Sequence, residues 1–180
     1  MRLGWRQWAS WGVLCGSLLL AGCGPNYVVI KQAEPNPLYQ AKSLAILPID
    51  FSKIAEVEPD HVKAINEGFA TELTEEASFL KFSQAGGDAL QIQGIVTMLE
   101  KGISAGVTSS DSELHLTVQI KKGSDVVDEV EFRAAVDQDD GFTVGGVGMS
   151  GFSDTQRLEN CAEEIASDLA DYLKKRVSTQ

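Results

Sequence analysis

Polar and apolar positions alternate most strictly in the middle of the chain. Leu114, Leu116, Val118 and Ile120 alternate with His115, Thr117, Gln119 and Lys121; Val130, Phe132, Ala134 and Val136 alternate with Glu129, Glu131, Arg133 and Ala135. A period of two puts one set in a core and the other in water, so each run reads as a half-buried strand. Gly123, Ser124 and Asp125 lie between the runs, which predicts a hairpin. Both apolar sets share a face only if paired residues sum to an even number. That requires a loop of three residues (123–125) or five (123–127), and the longer loop sets Lys121 opposite Glu129.

A period near 3.6 appears twice. Val62, Ile65, Phe69, Leu73 and Ala77 form one stripe over 59–77, with Pro59 in the first turn and Glu58 and Asp60 at the positive end of the predicted helix. Leu158, Cys161, Ala162, Ile165, Ala166, Leu169, Leu173 and Val177 form a longer stripe. Ser153 and Gln156 have capping-box spacing before it, and Lys174, Lys175 and Arg176 sit at its negative end.

Three further strands are predicted. The nearly continuous apolar run 43–51 reads as a strand buried on both faces, its regular part ending near Leu47 because Pro48 lacks an amide proton. A short strand covers 79–83. Over 89–99, Leu90, Ile92, Val96 and Met98 fall on one face, and Gly94 marks a bulge or a close approach. The stretches 102–113 and 141–151 are polar or glycine-rich and read as flexible connections. This order predicts one α+β, two-layer domain over 43–180: a mixed, mainly antiparallel five-stranded sheet covered by two helices, the C-terminal one long.

The N-terminus follows different rules. Arg2 and Arg6 precede an almost uncharged run, 8–20, which ends in the small residues Ala21 and Gly22. This is the composition of a secretory signal over 1–22, and the run is too short for a helix that spans a bilayer, which needs about 20 residues. Leu20, Ala21, Gly22 and Cys23 resemble the lipobox of bacterial lipoproteins. The resemblance implies cleavage between Gly22 and Cys23, a diacylglycerol on the Cys23 thiol, and acylation of the new amine by a chain such as palmitate. Each buried methylene contributes about 0.8 kcal/mol and stable anchoring takes two or more chains, so such an anchor holds. Gly24 stands where an inner-membrane retention signal places Asp, which by resemblance favours the outer membrane with the domain in the periplasm.

The stretch 23–42 carries Pro25, Pro35 and Pro37 and reads as an extended tether that lifts the folded part off the membrane. Within it, Tyr27, Val28, Val29 and Ile30 can be an edge strand, a partner-docking strand or a segment lying on the domain; β-propensity favours a strand.

Removing 1–22 leaves 158 residues, which suits a single domain. All three Trp residues go with the signal. Fifteen basic residues become 13 against 26 acidic ones, a formal charge of −13. Such a surface repels phosphate backbones, which excludes nucleic acid as a partner class. With Cys23 lipidated, Cys161 is the remaining thiol and no intramolecular disulfide forms.

Candidate chemistry is sparse. His61 on the first helical turn reads as solvated, His115 as outward-facing, Cys161 as a small core residue and Asp50 as a turn former. Residues 146–151 spell the dinucleotide fingerprint, but too little chain follows to complete the βαβ unit it requires. Asp137, Asp139, Asp140 and Gly141 approach a calcium loop, yet the twelfth position is Gly148 rather than Glu. No metal, cofactor or catalytic group is expected, and the chain reads as a non-enzyme.

The element order, with the strings LAILPIDF (44–51) and GDALQIQGIV (87–96), resembles a broad group of small bacterial lipoproteins. Its domain is similar to the periplasmic domain of the curli-secretion-channel lipoprotein and its poorly characterised relatives. That resemblance implies an envelope assembly or secretion accessory working through a protein partner or as a homo-oligomer. The alternative is a periplasmic lipoprotein binding a small ligand or glycan, which predicts an aromatic-lined pocket.

Overall fold

A computed structural model describes residues 26–82, 90–101, 111–136 and 153–179, and the backbone of four two-residue strands between them. In chain order the elements are β1 (Tyr27–Gln32), β2 (Ser43–Ile46), α1 (Pro59–Glu76), β3 (Lys81–Phe82), β4 (Leu90–Glu100), β5 (Ser104–Ala105), β6 (Thr108–Ser109), β7 (Ser112–Lys122), β8 (Asp125–Val136), β9 (Thr143–Val144), β10 (Val147–Gly148) and α2 (Asp154–Ser178). The main sheet runs β1-β8-β7-β4-β2-β3. Its β1, β8, β7 and β4 are antiparallel neighbours, whereas β2 is parallel to both β3 and β4.

The sheet therefore has six strands rather than the five expected. The sixth, β1, comes from the stretch read as tether: its apolar run finds a partner in β8, with Tyr27 opposite Phe132 and Val29 opposite Val130. From Asn26 onward this stretch is bound to the domain instead of standing away from it. The expected 79–83 strand shrinks to Lys81 and Phe82. The fingerprint 146–151, the acidic group 137–141, and Gly22 and Cys23 lie outside the described residues, apart from the backbone of β9 and β10, which pair antiparallel.

The central hairpin uses neither predicted loop. Lys122 pairs with Asp125 across a two-residue turn, Gly123 and Ser124, where Gly123 takes φ +63° as the first position of a tight hairpin turn allows. This pairing has the wrong parity for a shared apolar face. A bulge between Ile120 and Lys121 corrects it: Lys121 opposes Val126, Ile120 opposes Asp128, and Val127 is the extra residue. Beyond the bulge the even register brings Leu114, Leu116, Val118 and Ile120 to one face with Val130, Phe132 and Ala134, all buried. Glu129 consequently faces Gln119, whose amide donates to it at 3.0 Å, instead of Lys121.

The two helices pack side by side over that face, α2 lying on β7 and β8. The Ser153–Gln156 capping box forms as the spacing predicts. Gly68 lets α1 approach α2: a Cβ there would stand 3.1 Å from the Glu159 carbonyl oxygen. Gly94 serves a similar close approach, with Ile49 Cγ1 3.2 Å from where its Cβ would be. The carboxyl of Glu163, in this helix-helix region, is raised above the ordinary range by burial and by Glu159, Glu72 and Glu75. A carboxyl raised in the folded state favours folding below its unfolded pKa and loses that contribution as pH rises through the folded value. Glu163→Gln is accordingly expected to raise the unfolding free energy measured in urea at pH 7 by about a few tenths of a kcal/mol, screening being strong at this partly exposed site. The gain disappears near pH 4, where both forms are neutral.

Candidate functional site

The densest polar construction among the described residues joins the segment after Asn26 to the C-terminal end of α2. It starts with Asp128 on β8, which is fully buried. One carboxylate oxygen accepts from the Tyr172 hydroxyl at 2.6 Å and from Arg176 Nε at 2.9 Å; the other accepts from Arg176 Nη2 at 3.2 Å and from the Ala33 amide at 3.1 Å. Arg176 Nη2 also donates to the Ala33 carbonyl at 3.1 Å, and Glu34 lies 3.6 Å from Nη1. Turned so that its amide oxygen faces the guanidinium, Gln32 accepts from Nη1 at 2.6 Å.

Burial opposes the Arg176 charge, but the hydrogen bonds and charge of Asp128 outweigh it and hold the guanidinium above its ordinary value. Burial, then the same carboxylate, push the Tyr172 hydroxyl up, so it remains a donor. Every polar group in this cluster has a partner, which is the condition under which a buried pair can persist.

The rest of the segment is fastened from both sides. Asn26 donates to Glu164 at 3.0 Å and its carbonyl accepts from the Arg133 amide at 3.1 Å. The Tyr27 ring meets Phe132 at 5.4 Å and Tyr172 edge-on at 5.7 Å, with Lys175 Nζ 6.0 Å above it. Farther on, Asn36 donates to the carbonyls of Arg176 and Thr179, each at 2.7 Å, and Leu38 is fully buried. The Gln40 amide closes the segment on the Val177 carbonyl at 3.1 Å. The arrangement is a mechanical clamp: it couples whatever precedes Asn26 to the core through α2 and β8.

The other residues singled out in the sequence stay apart from this cluster and from one another. His61 is buried, 4 % exposed, rather than solvated; it continues the line of Ala64 and Gly68 on α1, and its Nδ1 has no hydrogen-bond partner among the described residues. His115 faces the open side of the sheet and bonds Glu113. Asp50 accepts from the Ser52 amide at 2.8 Å, a turn as expected, and this bond holds its carboxyl low. Cys161 is fully buried, and burial pushes its thiol up to about 12, which leaves no thiolate for chemistry at neutral pH. A second buried arginine, Arg157, bonds Ser112 Oγ at 3.1 Å and pairs with Asp154.

Among the described residues no group of three or more His, Cys, Asp and Glu is placed to hold a metal ion, and no helix is long and apolar enough to cross a membrane. An open depression of about 250 Å³ lies between Asn26, Tyr27, Val28, Glu131 and Arg133. It falls below the about 300–1,000 Å³ of small-molecule sites, and Tyr27 is the single aromatic in its wall.

Asp128 and Tyr172 were not among the residues the sequence pointed to, and Arg176 was named only for the helix dipole, although a signal for the cluster existed. Asp128 shares the parity of Val130, Phe132 and Ala134, and Arg176 follows Leu169 and Leu173 at helical spacing. A charged residue at each of two inward positions is the mark of a buried pair.

No protein-family model matches the chain, and no curated protein is significantly similar to it. Among solved structures, a Xanthomonas campestris protein described as DUF330 is 12% identical over 81% of this chain and 90% of that one, with a TM-score of 0.50. The PelC dodecamer from Paraburkholderia phytofirmans is 14% identical over 79% and 96%, with a TM-score of 0.46. A minor lipoprotein from Acinetobacter baumannii is 17% identical over 76% and 92%, at 0.39. The first of these likenesses is one of fold, and the other two are weaker still.

Proposed function

We propose that this chain is a bacterial lipoprotein, held by lipid on Cys23 to the outer membrane with its domain in the periplasm. It acts without catalysis, as an envelope assembly or secretion accessory, through contacts with a protein partner or with copies of itself. The observation that carries the reading is the clamp. Leu20, Ala21, Gly22 and Cys23 end three residues before Asn26, and from Asn26 the chain is bound into β8 and α2. At about 3.3–3.6 Å per extended residue, the anchor stands within about 11 Å of the folded body. A domain fixed so close to its membrane suits an assembly that forms at the membrane surface better than a carrier that reaches away from it.

Replacing the nucleophile removes the attachment, so Cys23→Ser is expected to move the protein from the membrane fraction to the periplasmic fraction. The functional part is tested by sedimentation of the lipidated protein in detergent, alone and with solubilised envelope extract. A ring of defined size or a stoichiometric protein partner supports the reading. A strict monomer that captures nothing contradicts it and returns attention to small ligands.

A further inference from the structure

We propose that the open edge of the sheet, β1, is a membrane-contact edge that rests on the phospholipid surface beside the anchor. This rests on the lipoprotein reading above. Three consecutive apolar side chains are exposed there: Val28 at 59 %, Val29 at 39 % and Ile30 at 53 %. The remaining large exposed hydrophobics among the described residues, Tyr39 and Phe79, stand singly, and single exposed apolar residues need no explanation. A run of three beside the attachment point does.

The length of chain before the patch selects its occupant. Val28 is five residues after Cys23, so an acyl group on that thiol holds β1 within about 18 Å of the bilayer even fully extended. Two cations stand at this edge. In a chain of strong negative charge, the edge carries Lys31, with Lys175 beside Tyr27. Of the carboxylates around it, Glu131 is paired with Arg133, while Glu129 and Glu164 accept from the neutral amides of Gln119 and Asn26 and keep their charge. Tyr27 supplies the aromatic body and polar tip common at lipid-water boundaries.

A second copy pairing through β1 fits less well. The strand has a bulge between Val29 and Lys31, and a bulge with an edge lysine are the devices by which sheets resist continuation.

The processed chain contains no tryptophan, so single reporters are clean. Val28→Trp, Ile30→Trp and, on the opposite edge of the sheet, Phe79→Trp are purified as lipidated full proteins. Each is reconstituted into phosphatidylethanolamine–phosphatidylglycerol vesicles with brominated acyl chains. The reporters at 28 and 30 are expected to be quenched at least about twofold more than the one at 79. Equal quenching at all three positions in protein that floats with the vesicles overturns the inference alone. Protection at 28 and 30 that appears only at high surface density assigns the edge to a second copy and also overturns it. Protein that fails to float and lacks lipid by mass overturns the lipoprotein reading, and this inference with it.

Discussion

Asp128→Ala lowers the unfolding free energy by about 3–5 kcal/mol, the cost of removing one partner of a buried ion pair. The loss has three parts. Arg176 keeps its charge in a buried place with the exposed Glu34 in place of the buried Asp128 carboxylate, the Tyr172 hydroxyl loses its acceptor, and the Ala33 amide loses its own. The last part reaches the N-terminal segment, so the same substitution loosens β1 and the loop that follows it. Urea unfolding measures the first effect, and hydrogen exchange at the amides of Tyr27–Gln32 measures the second. A loss under about 1 kcal/mol, typical of exposed pairs, would contradict the burial of this cluster. The paired replacement Asp128→Leu with Arg176→Met is expected to recover the part due to the unmatched charge, while the Tyr172 hydroxyl and the Ala33 amide still lack their acceptor.

Phe132→Ala is the second large effect, at about 3–5 kcal/mol from lost transfer and the cavity left behind. Phe132 is fully buried on β8 and its ring is the surface on which Tyr27 lies. The truncation therefore hollows the core and undercuts the start of β1 together. It is read as a drop in urea midpoint with an accompanying rise in exchange at β1. A core truncation remote from β1, Ile65→Ala on α1, is expected to lower stability by about 2–5 kcal/mol while leaving β1 exchange governed by global unfolding alone.

Much of the fold was legible because burial imposes a period. The alternation of 114–121 and 129–136 gave both long strands, and the 3.6-residue stripes gave both helices, with the capping box at Ser153 in place. What escaped depends on relations between segments. The parity argument for the hairpin was sound, yet the chain satisfied it with a two-residue turn and a bulge at Val127, since a bulge changes parity as well as a longer loop does. β-propensity favoured a strand at Tyr27–Ile30, and β1 is one, but its place in the main sheet was not readable because its partner β8 is about 100 residues away. Lone charges were the hardest. His61 was read as solvated although it lies on the Ala64–Gly68 line, and Arg176 was assigned to the helix dipole although it lies on the buried stripe. The two motif-like stretches set aside within 137–151, and the lipidation expected at Cys23, lie outside the described residues, so the case for the anchor stands on sequence together with the clamp that begins three residues later.

The intact mass of the protein isolated from bacterial membranes tests that case most directly. The account predicts a chain that begins at Cys23 and carries a thioether-linked diacylglycerol with a further acyl chain on the amine. A chain that retains residues 1–22, or begins elsewhere, or carries no lipid at Cys23 would contradict it.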